Sequence, residues 1–363
     1  MKNVFLSISM MLATTVAFAQ ANESSVSQAG TSNSSTVAQV GSSNNSVVTQ
    51  AGAVGPLSGL SNLADVDQNG ADNESLVMQN GDLNQGFVTQ LGDLNDATID
   101  QGVGQAESNL ATATQTGDSN VSMQKQRFDN NEAEVIQTGD RNDALQDQSS
   151  GPNGSLGNYA IASQLGDDNQ SIQRQNGSSN EAYVYQVGTD HWARQRQTGD
   201  SNEANAIQGK SGNSSDQWQI GDSNYALAYQ NDSNNGGDNT SVQTQTGDSN
   251  NAIVDQGIGS PDTTNSLAVQ IQTGDSNVAY AEQNGDDNDS YQSQVGNGNN
   301  ANHNQTGNMN DADTLQGGND HDSFITQTGN SNGALTTQTG NLHLSTVTQL
   351  GNSNMSTVTQ SNN

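Results

Sequence analysis

Twenty-nine glutamines, from Gln28 to Gln360, fall in one frame: 23 of the 28 gaps between them are 11 residues and the other five are longer. The frame is therefore broken only by insertions. Each unit reads N-x-small-x-x-x-Q-x-G-x-x. Asparagine stands six residues before the glutamine in 25 units, the exceptions being His191, Ser266, His321 and His343. Two residues after that slot comes Ala or Ser, with Gly86 the one exception. A fixed short period of this kind marks a stacked, quasi-one-dimensional fold.

In a strand, successive side chains point to opposite faces. With the Asn slot as position 0, positions 0, 2, 4 and 6 share one face. None of these 116 positions carries Asp, Glu, Lys or Arg, although 46 charged residues follow Lys2. An unpaired buried charge is costly, so this face is the interior. Positions 1, 3 and 5 carry charge freely and face water. Eleven of the twelve aromatics beyond residue 19 are outward, among them Phe87, Trp192, Trp218, Tyr225 and Phe324, while Phe128 replaces a turn glycine.

An interior of small residues flanked by amides suits close-packed sheets whose Asn and Gln side chains bond up the stack. The ladder residues are Asn22, Gln28, Asn33, Gln39, Asn44, Gln50, Asn73, Gln79, Asn84 and Gln90 near the amino terminus. Toward the other end they are Asn277, Gln283, Asn288, Gln294, Asn332, Gln338, Gln349, Asn354 and Gln360.

Position 4 sets the three-dimensional period. Over sixteen units, from Ala113 and Gln124 to Ala281 and Gln292, glutamine alternates with Ala or Val. Odd and even units thus occupy different environments. The expected fold is all-β: a two-sheet parallel β-solenoid of stacked β-arches, with about 14.5 coils of 22 residues, two strands per coil and amyloid-like cross-β order on assembly. At about 4.8 Å per coil, the rod is roughly 70 Å long.

Glycine stands two residues after the glutamine in 22 of the 29 units. It supplies positive φ at no steric cost, and the following Asp, Asn or Ser bonds to the local backbone. Gly81, Gly92, Gly117, Gly139, Gly199, Gly247 and Gly274 precede Asp, whereas Gly329 and Gly351 precede Asn.

Residues 1–19 have the form of a secretory signal peptide: Lys2, an apolar run, then Ala17-Phe18-Ala19, with cleavage between Ala19 and Gln20. The run is too short to anchor in a membrane, and no later segment approaches spanning length. Residues 20–363 form a single repeat domain with loop insertions near 51–61, 102–108, 149–157, 231–238 and 257–265. All three prolines, Pro56, Pro152 and Pro261, fall in the insertions, where no ladder donor is needed. The first three insertions follow odd units and belong to one edge of the rod; the last two belong to the other.

Composition excludes an ordinary globule. Apolar residues are 29% and aromatics 4%, against about 45–50% apolar in a globular domain. Net charge is −31, or −32 once Lys2 leaves. Such a chain lacks the apolar area to offset its ordering entropy alone. The acidity argues against nucleic acid, which needs a basic footprint. The absence of cysteine leaves no disulfide staple.

The unit resembles the curlin repeat of curli fibre subunits, S-x5-Q-x4-N-x5-Q, over residues 22–360. Ser266 to Gln272 shows the Ser form and Asn277 to Gln283 the Asn form that follows it. The resemblance implies a secreted functional-amyloid subunit of the biofilm matrix, serving adhesion and surface colonisation. Its implied partners are a surface nucleator subunit, periplasmic chaperones and an outer-membrane secretion pore. The chain departs from that pattern in having many more repeats, in carrying Gln or Ala at position 4, and in starting its first unit at Asn22 without a separate leader. The regularity points to a major subunit rather than a nucleator.

Units run from Asn22 to Gln360 with no cap residue pattern. Uncapped end strands template further chains, and a contact that does not close gives a filament; the expected partner is the chain itself, head to tail. A β-solenoid adhesin or nucleator is the alternative. A calcium β-roll needs G-G-x-G-x-D at period nine, and an ice-binding face needs an outward Thr array that only Thr346, Thr348, Thr357 and Thr359 approach. No nucleophile–base constellation, metal spacing or cofactor motif points to an enzyme. His191, His303, His321 and His343 all take inward slots, either as substitutes for Asn in a polar ladder or as pH sensors. Trp192, Arg194 and Arg196 form a basic outward spot on an acidic rod, either a plain solvated face or a contact to a neighbouring fibre.

Overall fold

The computed structural model describes residues 21–52, 59–151, 154–230, 237–257 and 263–362. It holds 29 strands, from β1 (Glu23–Gln28) to β29 (Met355–Ser361), one per repeat unit. Odd-numbered strands form one 15-stranded sheet and even-numbered strands one 14-stranded sheet. The chain crosses between sheets at every turn, and each strand pairs with the strand two units later. All these pairings are parallel; for example β13 (Gln170–Asn176) sets Gln173 on Gln195 and Gln175 on Gln197 of β15 (Trp192–Thr198), 22 residues on. The result is an all-β two-sheet solenoid of about 14 turns, as the alternation at position 4 requires.

The alternation of burial follows the repeat. In β3 (Asn45–Ala51), Ser46, Val48 and Gln50 are fully buried while their neighbours are not. The interior is layered by side-chain size. Aliphatic clusters fill both ends of the rod: Val48, Val66, Val77, Val88 and Ile99 at one, Ile325 and Val347 at the other, with Val37 and Val358 packed against them. Between them lie glutamines and small trios such as Val184, Ala193 and Ala206.

The arches turn through two left-handed residues. The glycine after the unit Gln takes φ of 111° at Gly117 and 118° at Gly139, and the residue before the Asn slot takes about 60°, as at Ser119 (60°). That second site was not legible as glycine-like, since Leu83, Leu94, Met309 and Leu342 also occupy it with positive φ.

Two isolated bridges involve residues of the insertions. Thr31 bridges Leu60 on one edge and Gly237 bridges Thr264 on the other. One insertion differs from the loop expected. β7 (Asp96–Glu107) runs on through 102–107, where a register shift lets Gly81 pair with Ala106 and Asp82 with Glu107. The insertions also explain two buried carboxylates outside the inward positions. Asp82 accepts the Leu60 N–H at 2.8 Å, and Asp129 accepts the Gly154 N–H at 2.6 Å. Pro56, Pro152, Pro261 and the signal segment with its Ala19–Gln20 cleavage site lie outside the described residues.

Candidate functional site: amide ladders and terminal rungs

Every unit glutamine after Gln28 ties three strands together. Gln101 Nε2 donates to Gln126 Oε1 in the next coil at 2.9 Å and to the Gln85 backbone carbonyl of the facing sheet at 2.8 Å. The column of Gln28, Gln50, Gln79 and Gln101 runs at 2.7 to 3.0 Å per step, and that of Gln39, Gln68 and Gln90 at 2.8 Å. Further along, Gln283 bonds Gln305 at 3.0 Å and Gln294 bonds Gln316 at 2.9 Å. Gln338 bonds Gln360 at 2.9 Å, and Gln349 accepts from Gln327 at 2.9 Å. A buried primary amide with all its bonds made costs little; one left unmade costs the full desolvation of the group.

Asparagine builds a second ladder at the other end of each strand. Asn73 donates Nδ2 to Asn44 Oδ1 at 3.1 Å and to the Gly92 carbonyl at 2.7 Å, and its backbone N–H also bonds Asn44 Oδ1. Asn22 accepts from Asn44, Asn33 from the Asn62 N–H, Asn288 and Asn332 flank Asn310, and Asn354 donates to Asn332. Asn84 bonds Asn62 and Asn277 bonds Asn250. The nine singled-out glycines share one role: the carbonyls of Gly81, Gly92, Gly117, Gly139, Gly199, Gly247, Gly274, Gly329 and Gly351 each accept an asparagine Nδ2 at 2.7 to 2.9 Å.

The two ladders have opposite polarity, which sequence did not reveal. Glutamine donates toward the later coil, whereas asparagine donates toward the earlier one. Every rung interface therefore offers donors at one end of the strand and acceptors at the other, and the amide dipoles of the two columns oppose each other.

A third column fills position 4 of the odd sheet. Gln124, Gln146, Gln173, Gln195, Gln217, Gln243, Gln270 and Gln292 are linked by seven bonds of 2.8 to 3.0 Å. Gln124 Oε1, where the column meets Ile99, is buried without a partner. Ile99, next in register, has no donor to offer.

Three histidines do replace Asn. His191 Nδ1 accepts the Asn213 N–H at 3.3 Å and His321 Nδ1 accepts the His343 N–H at 3.2 Å, so each Nδ1 stands in for Oδ1. Their Nε2 atoms face the Val187 and Gly317 carbonyls, the place of Nδ2. The rings of His321 and His343 stack at 5.2 Å. Burial lowers the His191 pKa. His303 is different: it sits at position 4, between Ser290 Oγ and Thr314 Oγ1, each at 2.8 Å. Complete burial pushes its pKa down to about 3.

Among the described residues, the first and last strands of the odd sheet, β1 and β29, each pair on one side only. Gln28 is exposed, and Asn22, Asn33, Gln39, Asn354 and Gln360 are half-buried, whereas Asn44, Gln50, Asn73, Gln79, Asn84, Gln90, Asn277, Gln283, Asn288, Gln294, Asn332, Gln338 and Gln349 are buried. Val26 is 48% exposed in β1, while Val48, the same slot one coil later, is 0% exposed.

The model of the curlin associated repeat matches residues 20–52, 76–102 and 329–361. These spans cover strands near both ends of the rod. None of the curated proteins compared matches the chain. These three stretches of the β-solenoid are similar to the curlin associated repeat.

Proposed function

From a chain built of curlin associated repeats, we propose a secreted structural subunit that polymerises head to tail into a cross-β fibre at the cell surface. The observation that carries this reading is the pair of end rungs that, among the described residues, have a neighbour on one side only. At one end Gln28 Oε1 is the open acceptor of its column, and at the other Gln360 Nε2 has a ladder bond still to make. Asn22 and Asn354 offer the reverse complement. Val26 and Val37 at one end, and Val347 and Val358 at the other, would close into one aliphatic layer. A second copy stacked end on end supplies all three.

The segment 1–19 exports the chain with cleavage after Ala19, and residues 20–363 act as one domain. By the same reading the fibre serves biofilm matrix, adhesion and surface colonisation. A surface nucleator, periplasmic chaperones and an outer-membrane pore handle the chain before it folds. The ladder residues and turn glycines are its functional residues, and it has no catalytic site. The test is fibre X-ray diffraction with electron microscopy on the purified mature chain after quiescent incubation. Unbranched filaments with reflections near 4.7 and 10 Å are expected. Discrete rods of single-chain length at every concentration would favour an adhesin instead.

A further inference from the structure

The two outward faces of the rod differ in charge. At outward positions 1, 3 and 5 of the even strands no Lys or Arg occurs among the described residues, and Lys210 lies beyond them at the end of β16. Lys125, Arg127, Arg174, Arg194 and Arg196 lie on the odd sheet. Arg174 of β13 and Arg196 of β15 are register neighbours, one coil or about 4.8 Å apart. Arg127 pairs with Asp147 at 3.0 Å, and Arg194 pairs with Asp216. Arg174 and Arg196 have no carboxylate within ion-pair distance among the described residues. Arg196 lies 4.2 Å above the Trp218 ring, and its Nε is buried without a partner. Burial, then the neighbouring Arg194, holds its pKa below the ordinary guanidinium value. Arg127, Asp147, Arg174, Arg196 and Trp218 line an open groove of about 410 Å³, three guanidinium groups to one carboxylate. Asp147, the register neighbour of Arg174, is taken by Arg127, and Asp216, near Arg196, is taken by Arg194; the two adjacent guanidinium groups thus have no ion pair of their own and can accept an external anion.

The opposite face provides one at the same height. β10 (Glu132–Thr138), β14 (Glu181–Thr189) and β16 (Glu203–Ser211) present Glu132, Glu134, Glu181 and Glu203 outward. None of the four is ion-paired among the described residues. Each coil joins one odd and one even strand, so Arg127 in β9 (Val121–Asp129) is level with Glu132 and Glu134, Arg174 with Glu181, and Arg196 with Glu203. A rod moved sideways, without rotation or axial shift, sets these charges opposite each other coil for coil.

We propose that the Arg174–Arg196 face docks against the Glu181–Glu203 face of a second copy of this chain, lying alongside, parallel and in axial register. The contact is face to back and does not close, so it repeats into ribbons of rods. Charge complementarity of this kind fixes register and suppresses other alignments. The inference is independent of end-to-end growth, because single rods carry both faces.

The test is lateral association of the mature chain, read as ribbon width by electron microscopy for filaments and as dimer by sedimentation for single rods. Wild type associates at low salt and separates near 1 M NaCl, where the screening length falls to about 3 Å. R174E/R196E and E181R/E203R each lose lateral association, while the four-fold variant regains it because both faces are reversed together. Circular dichroism confirms that each variant keeps its β structure, and R174Q/R196Q provides a milder version that also loses association. Undiminished ribbons in R174E/R196E, or no recovery in the four-fold variant, overturn the proposal. So does association lost in R174E/R196E but kept in E181R/E203R, which would assign the basic face to a different polyanion.

Discussion

The side-chain amide of Gln195 donates to Gln217 Oε1 at 2.8 Å, and both residues are wholly buried. Gln195 Oε1 in turn accepts from Gln173 at 3.0 Å. Each amide in the interior of the rod thus leans on the coils before and after it.

Replacing Gln195 with Leu leaves the Gln217 oxygen without its donor, removes one of the three acceptors around Gln173 Nε2 and takes the Gln195 donor from the Tyr183 carbonyl. An unmade buried bond costs about 1–3 kcal/mol per group. We expect Gln195→Leu to lower stability by about 2–4 kcal/mol, read from the guanidinium midpoint. A surface change such as Thr244→Leu should move the midpoint little.

Gly199 has φ of 118°, and a Cβ there would be driven into the Gly221 carbonyl of the next coil. That same Gly199 carbonyl accepts Asn180 Nδ2 at 2.8 Å. Gly199→Ala is expected to cost more than about 2 kcal/mol through positive-φ strain and lost stacking. Gly333 has open space around its Cβ direction and no positive φ. Gly333→Ala should be neutral or stabilising by up to about 1 kcal/mol, measured in the same denaturation series.

His303 gives the rod a pH dependence of known sign. The unfolded imidazole takes a proton near pH 6.5, but the folded one does so only near 3 because burial penalises its charged form. Its folded pKa is lowered, so stability is intact above pH 6.5 and falls as pH drops toward 3. The slope is about 1.4 kcal/mol per pH unit, or about 3 kcal/mol lost by pH 4.5. Its neighbours Ala281 and Ile325 in register, and Ser290 and Thr314 across the interface, offer no countercharge. His303→Ala should remove this increment from the difference between pH 7 and pH 4.5. Equal pH dependence in variant and wild type would show that His303 does not control it.

Much of this was readable because the repeat is long and strict. The absence of charge at alternate positions fixed the inward face, and the Gln/Ala alternation from Ala113 to Gln292 fixed two strands per coil. Other features depend on tertiary contacts that have no local signal. Gln101 reaches the Gln85 backbone across the sheet interface, which no spacing rule announces. Leu342 takes φ of 62° because its coil neighbours impose the arch, not because leucine favours it. The insertion at 102–108 extends β7 since Gly81 and Asp82 offer it an unpaired edge. His303 was grouped with the Asn-slot histidines although its position 4 places it between hydroxyls.

Buried hydroxyls provide a further check. Ser122 and Ser171, at position 2, are buried, and their Oγ atoms lack a hydrogen-bond partner among the described residues. Most units carry Ala in this slot. Ser122→Ala and Ser171→Ala lose no bond and shed a desolvated polar group, so each should be neutral or stabilising by about 1 kcal/mol. A loss above 1 kcal/mol in thermal or denaturant unfolding would mean that the hydroxyls are satisfied.

Filament mass per length tests the central claim most directly. A chain of 37.7 kDa wound into about 14 coils at roughly 4.8 Å each spans about 70 Å, which gives about 0.5 kDa per Å for a single filament, slightly less after signal removal. Dark-field electron microscopy of unstained, singly dispersed filaments should return that value. A value more than tenfold higher, as when every chain lies flat in one 4.8 Å layer, would contradict the solenoid stacked end on end.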